Sequence, residues 1–166
     1  VRVPLCIAGQ GVASGGRDED ALVHVVDLYS TMLEAVGVDL QAALPTGQFT
    51  FDSVSLTPYL KGETHTNERT WVLTEQFVAA TSNSSFNPGI AIKSKDYKFT
   101  RVVKSGNALT KYKDRCLSTD NLVDDTAFDL YGGTDAKATA ACDTLRDTAL
   151  GVICKESGNP WSTWCP

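Results

Sequence analysis

Apolar and polar positions follow two different rhythms along this chain. Val3 to Ala8 (VPLCIA) is an unbroken apolar run and reads as a strand that is apolar on both faces, as in a sheet covered on both sides. Gly9, Gly11, Gly15 and Gly16 then mark a turn. The rhythm changes next: Leu22, Val25, Val26, Tyr29, Met32, Leu33 and Val36 recur at helical spacing and predict a helix over 21–36. Asp18, Glu19 and Asp20 supply capping and dipole-compatible charge at its start, and Gly37 supplies its stop. Residues 38–55, with Pro45 and Gly47, read as a loop, and LTPYLKG (Leu56 to Gly62) as a short helical turn.

After the polar stretch ETHTNER, the β-branched and aromatic run TWVLTEQF predicts a strand. TSNSSFNPG is a loop. GIAIKS and YKFTRVV flank Lys95-Asp96 and predict a two-stranded hairpin. Residues 104–125 read as polar and irregular, AFDLY as a further strand, and GGT as a turn. Asp135 to Ile153 predicts a second helix whose apolar face carries Ala138, Ala141, Cys142, Leu145, Ala149, Val152 and Ile153. The tail, GNPWSTWCP, is aromatic. The order is strand, helix, then antiparallel strands closed by a helix. A first strand apolar on both faces expects neighbours on both sides, and this order does not supply them.

Composition narrows the picture. At 166 residues the chain can form one domain or one with an appendage, burying roughly 70% of its unfolded surface. The 42% apolar content is that of a globule. A net charge of −5 argues against nucleic acid or anionic membrane as a partner. No apolar run approaches the ~20 residues of a membrane span. Of five cysteines, Cys6 lies in the first apolar run and reads as a small buried hydrophobe. Cys116, Cys142, Cys154 and Cys165 can form two disulfides in three connectivities, which would imply an oxidising compartment. NSS at Asn83 is a formal glycosylation triplet of little weight.

Several blocks, taken in order, resemble the C-terminal part of the sulfatase family within the alkaline-phosphatase-like superfamily. VRVPLCIAGQGV is similar to the family's G-[VI]-R-V-P-L-I-V-x-G-P-G-V, and ALVHVVDLYSTMLEAVGV to its L-V-S-x-V-D-L-Y-P-T-L-L-E-L-A-G-V helix. FDSVSLTPYLKGE resembles D-G-x-S-L-x-P-L-L-K-G-E, with Ser53 where Gly is usual. AIKSKDYKFTRV resembles A-I-R-T-x-x-Y-K-L-I, and AFDLYGGTDA loosely resembles L-Y-D-L-x-x-D-P-x-E. The resemblance implies an α+β fold. Residues 1–62 would be the end of a catalytic α/β domain, one β-α unit of a larger mixed sheet. Residues 63–166 would be a small antiparallel sheet of about four strands packed on the C-terminal helix.

The resemblance also implies a chain that starts mid-protein, with the N-terminal catalytic portion as its missing partner and a sulfate ester as the parent's substrate. In that parent, outside the cytoplasm (periplasmic or secreted), calcium and a formylglycine made from a C/S-x-P/A-x-R motif would do the chemistry, stabilising charge on the sulfate oxygens. Those motifs lie upstream of the VRVPL block, so no residue here is expected to be catalytic, cofactor-binding or metal-binding, and the chain alone is expected to be inactive. A phosphodiesterase or phosphonate hydrolase of the same superfamily is the alternative. A standalone module for sulfated glycan is another, weakened by the negative net charge and the lack of a basic groove.

Individual candidates are read conservatively. Cys142 to Arg146 (CDTLR) fits C-x-x-x-R, but Thr144 replaces the expected Pro or Ala, and Cys142 falls on the buried face of a helix as a core or disulfide cysteine. His24 lies off the apolar stripe, as an exposed or boundary side chain, and His65 sits in a polar loop without a paired carboxylate. Asp124-Asp125 reads as solvated surface, Lys93, Lys95 and Lys98 as the solvent face of the hairpin, and Arg2 as a structural tie at the start of the first strand.

Overall fold

In the computed structural model the described residues are 3–13, 15–39, 42, 52–65, 68–76, 89–103, 112–118, 129–131 and 134–155. The fold is α+β, and the chain divides into two compact units, Val1–Arg69 and Thr70–Pro166.

The first unit contains α1 (Asp27–Ala35) and a single-turn helix α2 (Thr57–Lys61). Residues 3–8, predicted as a strand, form no ladder with any described residue, and Val3, Leu5 and Ile7 are exposed. An apolar run becomes a strand only where another backbone supplies the other half of its hydrogen bonds. Cys6, expected to be buried, is exposed for the same reason and is a free thiol. The helix expected over 21–36 begins only at Asp27. The acidic cluster at Asp18–Asp20 therefore does not cap it; the turn before it is closed by Asp27 itself, whose Oδ2 accepts the His24 N–H at 2.8 Å. Its end is as expected. Gly37 takes φ 80°, where a side chain would be strained, so the Val38 N–H reaches Leu33 O at 2.9 Å and the Gly37 N–H reaches Glu34 O at 3.0 Å. α2 has Pro58 in its first turn and closes at Gly62, matching the LTPYLKG reading.

The second unit is a four-stranded antiparallel sheet in the order β1-β2-β3-β4, with α3 (Ala136–Ile153) on one face. β1 (Val72–Gln76), β2 (Gly89–Lys93) and β3 (Tyr97–Val103) are the predicted strands. β4 (Tyr112–Ser118) falls within residues read as irregular. The run AFDLY, read as the fourth strand, has only Asp129–Tyr131 among the described residues, and these form no strand. Instead the Leu130 N–H donates to Cys116 O at 2.8 Å, closing part of the outer edge of β4.

Alternation along the strands places Ile90, Ile92 and Phe99 toward α3, where they pack with Leu145, Ala149 and Ile153. The α3 face observed is Ala138, Cys142, Leu145, Ala149 and Ile153; Val152, expected inside, is 36% exposed. Asp135 caps α3 by accepting the Lys137 and Ala138 N–H groups, both at 3.0 Å. Gly89 is obligatory, because a Cβ there would sit 2.7 Å from Arg101 O on β3.

Candidate functional site

The first unit is organised around a buried carboxylate. Asp27, at the first turn of α1, is fully buried. It accepts the His24 N–H, the Val54 N–H at 2.9 Å, and the Arg69 guanidinium, whose Nε lies 2.9 Å from Oδ2 and whose Nη2 bonds Oδ1. Arg69 Nη2 also reaches Asp52 O. One carboxylate thus ties α1, the 52–54 segment and Arg69 together. Burial alone would raise the Asp27 pKa, but the Arg69 and backbone hydrogen bonds outweigh it and hold the group below the ordinary aspartate value. An ionised carboxylate with every lone pair engaged is a tie and has no basicity to spare for proton transfer.

A second layer of hydroxyls continues the tie. Ser53 donates to Val26 O at 2.7 Å, lies 2.7 Å from Ser30 Oγ, and accepts the Ser30 N–H at 3.2 Å. Thr31 donates to Asp27 O at 2.6 Å and accepts the Leu56 N–H at 2.8 Å. Ser53, the departure from the family-like block, is thereby one of the residues that stitch the 52–56 segment to α1. Beside this layer lies a cleft of about 510 Å³ lined by Ser30, Glu34, Gly37, Val38, Asp39, Ser53 and Ser55. Ser55 bonds Glu34, so the cleft's hydroxyls are engaged, and no imidazole or ammonium among these residues could activate one as a nucleophile.

Cys142 is disulfide-bonded to Cys116, which joins α3 to β4 across 26 residues. That is the disulfide reading, and it removes CDTLR from nucleophilic chemistry. Cys154 is also disulfide-bonded. His24 is half-buried at the turn into α1, with the Val26 N–H donating to its Nδ1 at 3.3 Å. His65 packs on the Tyr59 ring (centroids 4.5 Å apart) with Nε2 2.7 Å from Ser55 O, so it supports the loop locally. Burial, with the charges of Glu68 and Glu19, raises the Tyr59 phenol above its ordinary value. Lys93 and Lys98 are cross-strand partners, and Lys95 lies in the hairpin turn. Arg2, Asn83, Asp124-Asp125 and Cys165 lie outside the described residues. Among the described residues no group of three His, Cys, Asp or Glu side chains could hold a metal ion. No described helix is long and apolar enough to cross a membrane.

Sequence reasoning missed Asp27, Arg69, Arg101 and Asp114. Arg101 is buried on the α3 side of the sheet and forms a two-point pair with Asp114 of β4, Nε to Oδ1 and Nη2 to Oδ2, both 2.7 Å. The one signal available for Asp27 was an acid inside an otherwise apolar helical pattern.

No protein-family model matches the sequence, and no curated protein matches it. Solved structures do match by fold. A protein from Bacteroides thetaiotaomicron VPI-5482 assigned as a sulfatase superposes with a TM-score of 0.53 at 19% identity, over 82% of this chain and 25% of its own. A 2-O GAG sulfatase superposes with a TM-score of 0.60 at 20% identity, over 89% and 28%. The fold is that of a portion of a sulfatase. A protein solved in complex with its substrate, D-glucosamine-2-N,6-O-disulfate, agrees, with a TM-score of 0.54 at 15% identity over 81% and 25%. This chain spans about a quarter of the length of each structure it matches.

Proposed function

We propose that this chain is the C-terminal part of a sulfuric ester hydrolase and is inactive without the rest of it. The observation that carries the reading is the fold match itself, which takes in more than four-fifths of this chain and about a quarter of each sulfatase-like partner. The ordered sequence blocks place that quarter at the C-terminal end. Calcium and formylglycine belong to the upstream portion, where they would polarise the sulfate and supply the nucleophile. This chain's own residues contribute shape and support. The Asp27–Arg69 tie fixes α1, whose Tyr29 and Met32 are exposed, as are Val25 before it and Val36 after it, a surface suited to the upstream portion. The two disulfide-bonded positions on α3 and β4 fit an oxidising, periplasmic or secreted setting.

The test is to read the genomic sequence upstream of Val1 and to assay the joined protein. A C/S-x-P/A-x-R motif upstream, with calcium-dependent turnover of a chromogenic aryl sulfate by the joined protein and none by this chain alone, is expected. Turnover by this chain alone that survives Cys142→Ala would overturn the reading. An upstream Thr nucleophile with turnover of a phosphodiester would move it to the phosphohydrolase alternative.

A further inference from the structure

Residues 3–8 (VPLCIA) of the first unit combine properties that folded chains seldom leave together in water. All of them are exposed, with Val3 74%, Leu5 49% and Ile7 37% open to solvent. None gives or takes a backbone hydrogen bond with any described residue. No charged side chain occurs between Val3 and Val12, so nothing guards the run as lysines guard a natural sheet edge. Alternation along an extended run puts Leu5 and Ile7 on one face and Cys6 and Ala8 on the other, so both faces are apolar. Pro4 has no N–H to donate and stands at the entry of the run, where a strand tolerates it. From Leu5 to Ala8 the N–H and carbonyl groups then serve two edges, Leu5 and Ile7 one, Cys6 and Ala8 the other.

We infer that residues 3–8 are a docking segment that inserts between two strands of a partner sheet, the partner being the upstream portion named above; to that extent the inference rests on the proposed function. Pairing along one edge alone would leave the other edge unpaired, and a buried unpaired backbone group costs as much as a lost hydrogen bond. Both apolar faces must also be covered. A second copy of this chain fails on both counts: two identical runs pair along one edge each, and a lone two-stranded ribbon is marginal in water. The same unit leaves Tyr29 and Met32 of α1 uncovered, so the partner has to cover a helix as well as a strand. This chain covers about a quarter of each structure it matches, and the remainder is large enough to hold such a sheet. Cys6 agrees with insertion. It is a free, exposed thiol in the middle of the run, whereas Cys116, Cys142 and Cys154 are disulfide-bonded. Left in water beside disulfides, it is open to exchange with them, and a flanking sheet removes it from attack.

The experiment alkylates Cys6 with iodoacetamide, maps the product by peptide mass, and follows hydrogen exchange at the 5–8 amides, in this chain and in the joined protein. In this chain alone Cys6 should react as an exposed thiol and the amides should exchange without protection. In the joined protein both rates should fall by about 100-fold or more, as for a strand inside a sheet. Ile7→Pro, which removes one N–H from the ladder, should restore alkylation and exchange in the joined protein, whereas Ile7→Val should not. If the proline variant does not fold, the comparison between the two parent proteins decides alone. A fully reactive Cys6 in the folded joined protein overturns the inference. So does protection of Cys6 in this chain alone that grows with protein concentration, because the occupant is then a second copy. Turnover is a separate reading. A joined protein that protects Cys6 but hydrolyses no sulfate ester overturns the proposed function and supports the insertion; one that hydrolyses the ester with Cys6 fully reactive does the reverse.

Discussion

The two longest helices among the described residues both carry apolar side chains along one face and use them in opposite ways. α3 turns its stripe onto the sheet, and Ala138, Cys142 and Ala149 are completely buried there. α1 turns Tyr29 and Met32 outward, together with Val25 before it and Val36 after it; Val25 is 73% and Val36 75% exposed. The difference extends to the units around them. Among the described residues the first unit has one buried hydrophobic side chain, Leu56, and its interior is polar: Asp27, Ser30 and Thr31. The second unit has a conventional apolar interior. A helix in water draws most of its stability from packing an apolar face, so α3 is stabilised from within its unit, whereas α1 is held by one ion pair and a few hydroxyls. The unit with the outward stripe is the one whose blocks the family resemblance assigns to a larger sheet.

The largest test of this contrast is a cut into the second unit's interior. Phe99 is fully buried and stands edge-on to Tyr131 at 6.3 Å. Phe99→Ala should cost about 3–5 kcal/mol, read as a lower urea midpoint of tryptophan fluorescence. Trp71 packs against this interior, so its fluorescence follows the second unit. Removing the β4–α3 bridge with Cys116→Ala/Cys142→Ala comes next. Releasing a 26-residue loop costs about 3.5 kcal/mol in unfolded-state entropy. Hydrogen exchange at the α1 amides, residues 27–35, should be unchanged by both substitutions; protection lost there would merge the two units into one cooperative structure.

What the sequence revealed and what it hid follows the same division between local and distant partners. α3 was legible because Ala138, Cys142, Leu145 and Ala149 recur at helical spacing and the helix uses that face directly. The hairpin was legible because Lys95-Asp96 separates two runs that pair with each other. β4 was hidden because two of its inward positions are Asp114 and Cys116, polar-looking until Arg101 and Cys142, distant in sequence, are placed against them. The start of α1 was hidden because Leu22 and Val25 continue the helical pattern while Asp27 is bound by Arg69, 42 residues later. Ser53 looked like a flaw in a glycine position, and only the structure shows its hydroxyl joined to α1.

The polar interior of the first unit predicts a pH dependence centred on Asp27. The folded-state pKa of Asp27 lies below the ordinary aspartate value, so its contribution is fully present above pH ~4 and is lost as pH falls through the lower folded value. Protection of the α1 amides should therefore weaken as pH drops from ~6 toward ~3. Asp27→Asn should remove that dependence and cost about 2–3 kcal/mol of local stability, because an amide group would turn a donor toward Arg69. A pH-independent exchange pattern in the parent chain would count against the carboxylate as the tie.

The smallest expected effect is the sharpest test of the outward stripe. Substituting Met32 and Val36 with Ser removes two large side chains that are 61% and 75% exposed. In the second unit comparable truncations of buried side chains would cost several kcal/mol. Here each should shift α1 protection by no more than about 0.5 kcal/mol, the range of surface changes, plus a few tenths for the poorer helix propensity of Ser at Met32. The same double variant, placed in the joined protein, should instead lower the melting temperature, since burying one such side chain contributes roughly 1.5–3 kcal/mol. A loss in the joined protein with none in the isolated chain would locate the partner of α1 outside these 166 residues. An equal loss in both would mean that the chain already covers the stripe itself, and the contrast between the two helices would disappear.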